Sequence, residues 1–334
     1  MKNTQVIQLM SIVRLSIFML GITMMSCNSK KEQQLPAIGK SVALFDYFSY
    51  KGNDDFYISN PLSGEDYFYN PILPGWYSDP SVCTNGEGDY FLVTSTFTYF
   101  PGVPIFHSKD LVNWKQIGHV LNRASQLVNM EGQKVSGGIF APAISYNPYN
   151  KTYYMVTTNV GAGNFFVKTQ DPFGEWSEPV MLPEVGGIDP SFFFDEDGKA
   201  YIVNNDEAPD NKPEYSGHRT IRIQEFDVKT DKTIGPRKIL VNKGAQPADK
   251  PIWIEGPHLY KINGKYFLMS AEGGTGNWHS EVIFRGDSPM GKFLPWKNNP
   301  ILTQRHLNSD RPNSVTCAGH ADLIQTKEGD WWAV

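Results

Sequence analysis

Five times this chain repeats one short pattern, and nothing else in it restricts the fold so much. A residue, in four cases followed by proline, opens an apolar run. A turn rich in Asn, Asp and Gly follows, then a second apolar run. The starts are Asp79-Pro80-Ser81-Val82, Ala141-Pro142-Ala143-Ile144, Asp189-Pro190-Ser191-Phe192, Gly256-Pro257-His258-Leu259 and His320-Ala321-Asp322-Leu323. Their returning runs are Tyr90–Val93, Tyr153–Val156, Tyr201–Val203, Tyr266–Met269 and Trp331–Val334. Apolar runs closed by such turns are β-hairpins. Proline fits at a strand's first residue, where the ladder can spare its missing N–H. Hairpins repeated with further strands between them, such as Val103–His107 and Arg219–Phe226, mark propeller blades. The expected fold is therefore all-β, a five-bladed β-propeller whose blades surround a central channel. The fifth blade is expected to be incomplete, because Val334 closes only its second strand. A β-sandwich with unrelated hairpins would not make five of them align.

The residues before the repeats have other uses. Residues 1–26 carry Lys2 and Arg14 around an apolar stretch, Leu15 to Met25, too short to span a bilayer comfortably. They read as an export signal. Met24-Met25-Ser26-Cys27 is similar to a bacterial lipobox, so Cys27 is the expected lipidation site. The expected location is a bacterial lipoprotein at the outer membrane, periplasm or cell surface, touching membrane through the lipid anchor only. Residues 28–69 read as a tether and irregular lead-in, and residues 70–334 as the propeller. Cys83 and Cys317 lie in or beside expected strands, where buried free thiols are common, and they are expected to stay unbridged. A net charge of −5 leaves no basic footprint for nucleic acid.

Strand starts of a propeller meet at one mouth of its channel, and three of them carry acids: Asp79, Asp189 and, one residue before its Gly-Pro, Glu255. Crowded carboxyls raise one another's pKa, so one stays protonated beside an ionised neighbour. That pairing is the equipment of glycoside hydrolysis. Trp76, Tyr77, Phe97, Tyr99 and Phe100 suit stacking on sugar faces, and Arg305 is a candidate substrate contact. The run Asp195-Glu196-Asp197-Gly198 has no distant bidentate Glu at calcium-loop spacing and reads as a turn.

The stretches Asn70–Ser81, Phe100–Trp114, Ile188–Ser191, Glu255–Tyr260 and Gly319–Leu323 together resemble glycoside hydrolase family 43. The likeness is greatest to its β-xylosidase and α-L-arabinofuranosidase members and runs from about residue 70 to the end. It implies a five-bladed propeller acting with inversion on xylan- or arabinan-derived oligosaccharides. It also implies Asp79 as general base, Asp189 as pKa modulator and Glu255 as general acid. Phe140 stands where relatives carry a substrate-facing Trp. His320 matches a channel histidine that in some members helps hold a cation. No cofactor is expected to be required, with Ca2+ in the channel as the one candidate. The alternative is a truncated, non-catalytic glycan-binding surface lipoprotein.

Overall fold

A computed structural model describes residues 55–64 and 66–334. Cys27 and the export segment lie outside the described residues. The chain divides into two compact units, 1–61 and 62–334. The described part of the first holds one short helix, Asp55–Ser59, within the stretch expected to be irregular.

The second unit is built from sheets in chain order. Blade I comprises β1 (Ser81–Thr84), β2 (Tyr90–Val93), β3 (Gly102–Ser108) and β4 (Lys115–Leu121). Blade II comprises β5 (Ile139–Asn147), β6 (Thr152–Asn159), β7 (Gly163–Thr169) and β8 (Val180–Met181). Blade III comprises β9 (Ile188–Phe194), β10 (Ala200–Glu207), β11 (Arg219–Asp227) and β12 (Lys232–Asn242). Blade IV comprises β13 (Glu255–Ile262), β14 (Lys265–Glu272), β15 (Ser280–Gly286) and β16 (Leu294–Pro295), with β17 (Leu302–Thr303) also paired to β15. The fifth sheet holds two strands, β18 (Leu323–Gln325) and β19 (Trp331–Ala333). Within each blade, consecutive strands pair antiparallel, and the expected hairpins are the first pair in every sheet.

A blade's two faces both pack on neighbours, so its middle strands have no solvent side. That is why β6 is buried at every residue. Alternation survives as a choice of partner. Tyr153 and Met155 join Phe91, Val93 and Ile105 between blades I and II. Tyr154 and Val156 turn the other way, to Phe192, Ile202 and Phe226 of blade III. Tyr201 and Val203 in turn meet Leu259, Leu268 and Val282 of blade IV. Each such side chain contributes roughly 1.5–3 kcal/mol by leaving water.

The joint around the fifth sheet is polar as well. Asp322 Oδ2 accepts Ser81 Oγ–H (2.7 Å) and Val82 N–H (2.9 Å) from blade I. Its Oδ1 accepts the Tyr260 hydroxyl (2.6 Å) of blade IV. The acidic turn after β9 is structural too: buried Asp195 accepts Tyr266 O–H (2.5 Å) and pairs with Lys261 (2.9 Å) on β13. Cys83 is buried and free as expected, whereas free Cys317 is exposed. It belongs to the loop before β18 and not to a packed strand.

Candidate active site

The five repeat starts share one unusual backbone state. Asp79 (φ 51°), Ala141 (38°), Asp189 (53°), Gly256 (53°) and His320 (60°) are all left-handed. For a residue with a Cβ this costs about 1–2 kcal/mol, with Asp among the more tolerant. Pairing slips at these entrances: β5 and β6 shift register between Phe140 and Ala143, and β13 and β14 between Glu255 and His258. The kink turns each of the five toward the mouth, where all five line one narrow cavity.

Position 256 has to be glycine. A Cβ there would stand 2.7 Å from His320 Nε2 and within 2.9 Å of two ring carbons. The imidazole therefore occupies the space that a side chain on blade IV would need. The fourth start leaves its acid to the preceding residue, Glu255.

Asp79 is the most accessible of the three acids, with 25% of its side chain exposed, against 5% for Asp189 and 7% for Glu255 as residues. Ser95 Oγ donates to Asp79 Oδ2 (2.5 Å) and accepts Ala141 N–H (2.7 Å), tying blade I to blade II. His320 Nδ1 lies 3.6 Å from Asp79 Oδ1. Asp189 Oδ2 accepts Gly256 N–H (3.1 Å), next to Glu255.

Burial raises the Glu255 pKa to about 8, reinforced by the charges of Asp189 and Asp79 and opposed by His320. Asp189 is raised for the same first reason, burial, with Asp79 adding and His320 opposing. Burial works against the charged form of His320, yet Asp79, Asp189, Glu255 and Glu281 together raise its pKa. A protonated carboxyl, a water-accessible carboxylate position and an imidazole thus share one mouth.

Two residues at this mouth escape a reading of local sequence. Arg219, at the start of β11, is 8% exposed. It donates to Asn205 Oδ1 (3.1 and 2.8 Å), pairs with Glu207 and lies 4.9 Å over the Trp253 ring. Its charge works against the rise at Asp189 and Glu255. Glu281 on β15 is 1% exposed, one oxygen accepting Ala321 N–H (3.0 Å) and the other without a partner. Burial lifts its pKa to about 8.

The aromatic candidates meet beside Asp79. Trp76 stacks on Phe97 (5.3 Å) and meets Tyr99 edge-on (5.6 Å), while Phe97 meets Phe140 (5.6 Å). Trp76, Phe97, Tyr99, Phe100 and Ser95 line a cavity of about 360 Å3. Tyr77 lines the same cavity and packs edge-on against Phe106. His258, 3.5 Å from Asp322, belongs to the polar joint. Arg305 lies over Trp278 and is not among the residues lining the cavity of the repeat starts. Among the described residues, no group of three or more His, Cys, Asp or Glu side chains is placed to hold a metal ion.

Comparison with known proteins follows the same residues. The sequence model of glycosyl hydrolases family 43 matches residues 68–334. A xylosidase/arabinosidase of Butyrivibrio fibrisolvens is 47% identical over 79% of this chain and 50% of its own length. A non-reducing-end α-L-arabinofuranosidase of Bacteroides ovatus is 41% identical over 83% of this chain and 49% of its own. The crystal structure of a GH43_12 protein retrieved from capybara gut metagenome superposes with a TM-score of 0.77 at 55% identity, covering 82% of this chain and 50% of that one. The chain spans about half the length of the curated relatives it matches.

Proposed function

The chain belongs to glycosyl hydrolases family 43, and on that premise we propose that it is an inverting glycosidase releasing xylose or arabinose from hemicellulose-derived glycans. One observation carries this reading. Glu255, with a pKa near 8, feels the charge of Asp79, whose carboxyl is partly exposed, and the next residue, Gly256, lines one narrow cavity with Asp79. In the proposed step Glu255 gives its proton to the glycosidic oxygen as the C1–O bond breaks. Water attacks C1 from the opposite face, and Asp79 takes the proton which that water loses. The products are a pentose of inverted configuration and a free hydroxyl on the leaving part.

The other residues support these two. Asp189 favours the protonated form of Glu255 by its charge. His320 stands at the Asp79 oxygen that Ser95 does not hold. Trp76, Phe97 and Phe140 offer faces for sugar C–H groups. Inversion needs room for the water, so the Asp79 and Glu255 carboxyls should stand roughly 6.5–9.5 Å apart.

Nitrophenyl xyloside and nitrophenyl arabinofuranoside test the activity, and NMR of the first-formed sugar tests the stereochemistry. Hydrolysis with a retained anomer would remove Asp79 from the role of base and require a carboxylate nucleophile. We also propose that Cys27 carries lipid and anchors an exported protein at the bacterial surface, since Ser26-Cys27 ends the apolar segment. Cys27→Ser should then release the protein into soluble fractions, and unchanged membrane association would count against lipidation.

A further inference from the structure

Glu255 is delivered by blade IV but gripped by blade III. At three other joints of the propeller, one side chain of a blade accepts a backbone N–H at the next blade's entrance. Ser95 Oγ accepts Ala141 N–H (2.7 Å), Thr158 Oγ1 accepts Asp189 N–H (3.1 Å) and Glu281 accepts Ala321 N–H (3.0 Å). The joint between blades III and IV has a grip on each side of its acid. After Glu255, Asp189 Oδ2 accepts Gly256 N–H (3.1 Å). Before it, Asn205 Nδ2 donates to the Ile254 carbonyl (2.5 Å). Both peptide units that flank Glu255 are therefore held by side chains of the neighbouring blade.

Asn205 stands where two acids are delivered. It is fully buried on β10, and its backbone pairs in register with Ile188, the residue before Asp189. Its side chain reaches Ile254, the residue before Glu255. One residue thus ties the strand entrance that carries Asp189 to the segment that carries Glu255.

The amide fits only one way round. Arg219 Nε and Nη2 both donate to Asn205 Oδ1 (3.1 and 2.8 Å). A guanidinium has donors and no acceptor, so it takes the amide oxygen and leaves the N–H2 for Ile254. Arg219 is itself fixed by its pair with Glu207 and by the Trp253 ring, 4.9 Å from its guanidinium carbon. Trp253 is two residues before Glu255, and its N–H is held by the Gly217 carbonyl (2.8 Å). Charge-assisted bonds in a site this dry leave the segment little freedom. A proton donor depends on such restraint, because a misplacement of ~1 Å can cost about 10²-fold in rate.

We propose that Asn205, oriented by Arg219, is a positioning residue that sets the reach of the Glu255 carboxyl. Its catalytic consequence rests on the glycosidase reading, and the experiment separates the two. Wild type, Asn205→Ala and Arg219→Lys are compared by hydrolysis of methyl and dinitrophenyl pentosides, as xyloside and arabinofuranoside, and by NMR titration of the Glu255 carboxyl. A methyl pentoside needs the proton of Glu255 to depart, and a dinitrophenyl pentoside does not. Asn205→Ala should lower kcat on the methyl pentoside on the order of 10–100-fold and on the dinitrophenyl pentoside less than about threefold, with KM little changed. The freed carboxyl should turn toward water, bringing its pKa down from about 8 by roughly one unit or more. Arg219→Lys keeps the charge but loses the fork, so it should show the same pattern with about a three- to tenfold loss in kcat. It decides the matter if Asn205→Ala does not fold. Equal losses on the two pentosides, no loss on either, or an unmoved Glu255 pKa overturns the proposal. A wild type that hydrolyses neither pentoside overturns the glycosidase reading. The Glu255 titration still decides on the positioning: a lowered pKa in the variants sustains it and an unmoved one overturns it.

Discussion

Glu281→Gln should flatten the dependence of stability on pH. In the folded chain Glu281 has a pKa of about 8, against an ordinary value of 4.5, because β15 buries it with one oxygen unpartnered. Between those values the native state holds a proton that the unfolded chain has released. Stability therefore falls as pH rises through that window and levels off above about 8. With about 1.4 kcal/mol for each pH unit of separation, the wild type should lose roughly 4 kcal/mol between about pH 5 and pH 8.5 through this one group. The substituted amide would still accept Ala321 N–H but has no proton to lose. Its N–H2, placed where the free oxygen was, costs stability equally at both pH values and cancels in the difference. His320 and Asp322 act on the same carboxyl and are present in both proteins. The assay is urea unfolding of wild type and variant at the two pH values. Parallel losses, differing by less than about 1 kcal/mol, would refute the assignment of a buried, proton-holding Glu281.

Three further outcomes follow from the same geometry. Glu255→Gln should cost about 10²–10⁴ in kcat on glycosides with alcohol leaving groups and far less on a dinitrophenyl glycoside. In the wild type, rates should fall as pH rises past about 8, where Glu255 gives up its proton, and an unchanged profile in the variant would contradict this role. Gly256→Ala should destabilise by roughly 1–3 kcal/mol in thermal unfolding, because the new Cβ strikes His320. Tyr260→Phe should cost about 1–3 kcal/mol by removing one of the donors to Asp322, and urea midpoints measure it.

The strand plan was legible because a hairpin is a local event. Its proline entrance, turn residues and two apolar runs lie within about two dozen residues. Asp79 and Asp189 were legible because the repeat puts them in one register, and Glu255 because it stands one residue off it. Glu281 and Arg219 were not. Within a strand, Ser280-Glu281-Val282 reads as a polar residue facing water. At this end of β15 both faces are covered, so Glu281 is buried against Ala321 at the entrance to the fifth sheet, and nothing nearby in sequence says so. The left-handed entrances were hidden too, since Asp-Pro and Ala-Pro specify a turn-prone dipeptide but not its hand. Arg305 was read as a candidate substrate contact. The loop around Leu302–Thr303 sets it over Trp278, a neighbour that only the pairing of β17 with β15 reveals.

The five left-handed entrances have a consequence for how such a molecule changes its trade. The backbone does the aiming, and the residue type supplies only what is aimed. Two sockets hold carboxyls, one an imidazole, one a methyl group and one a lone hydrogen. To recast the reagent at the mouth therefore takes one codon, with no new loop and no moved strand. Ala141 is the position open to it: its backbone is already bent as at Asp79 and Asp189, and an aspartate there would bring another carboxyl to the same rim. The scaffold behaves like a turret with fixed bores, whose repertoire widens by reloading and not by rebuilding.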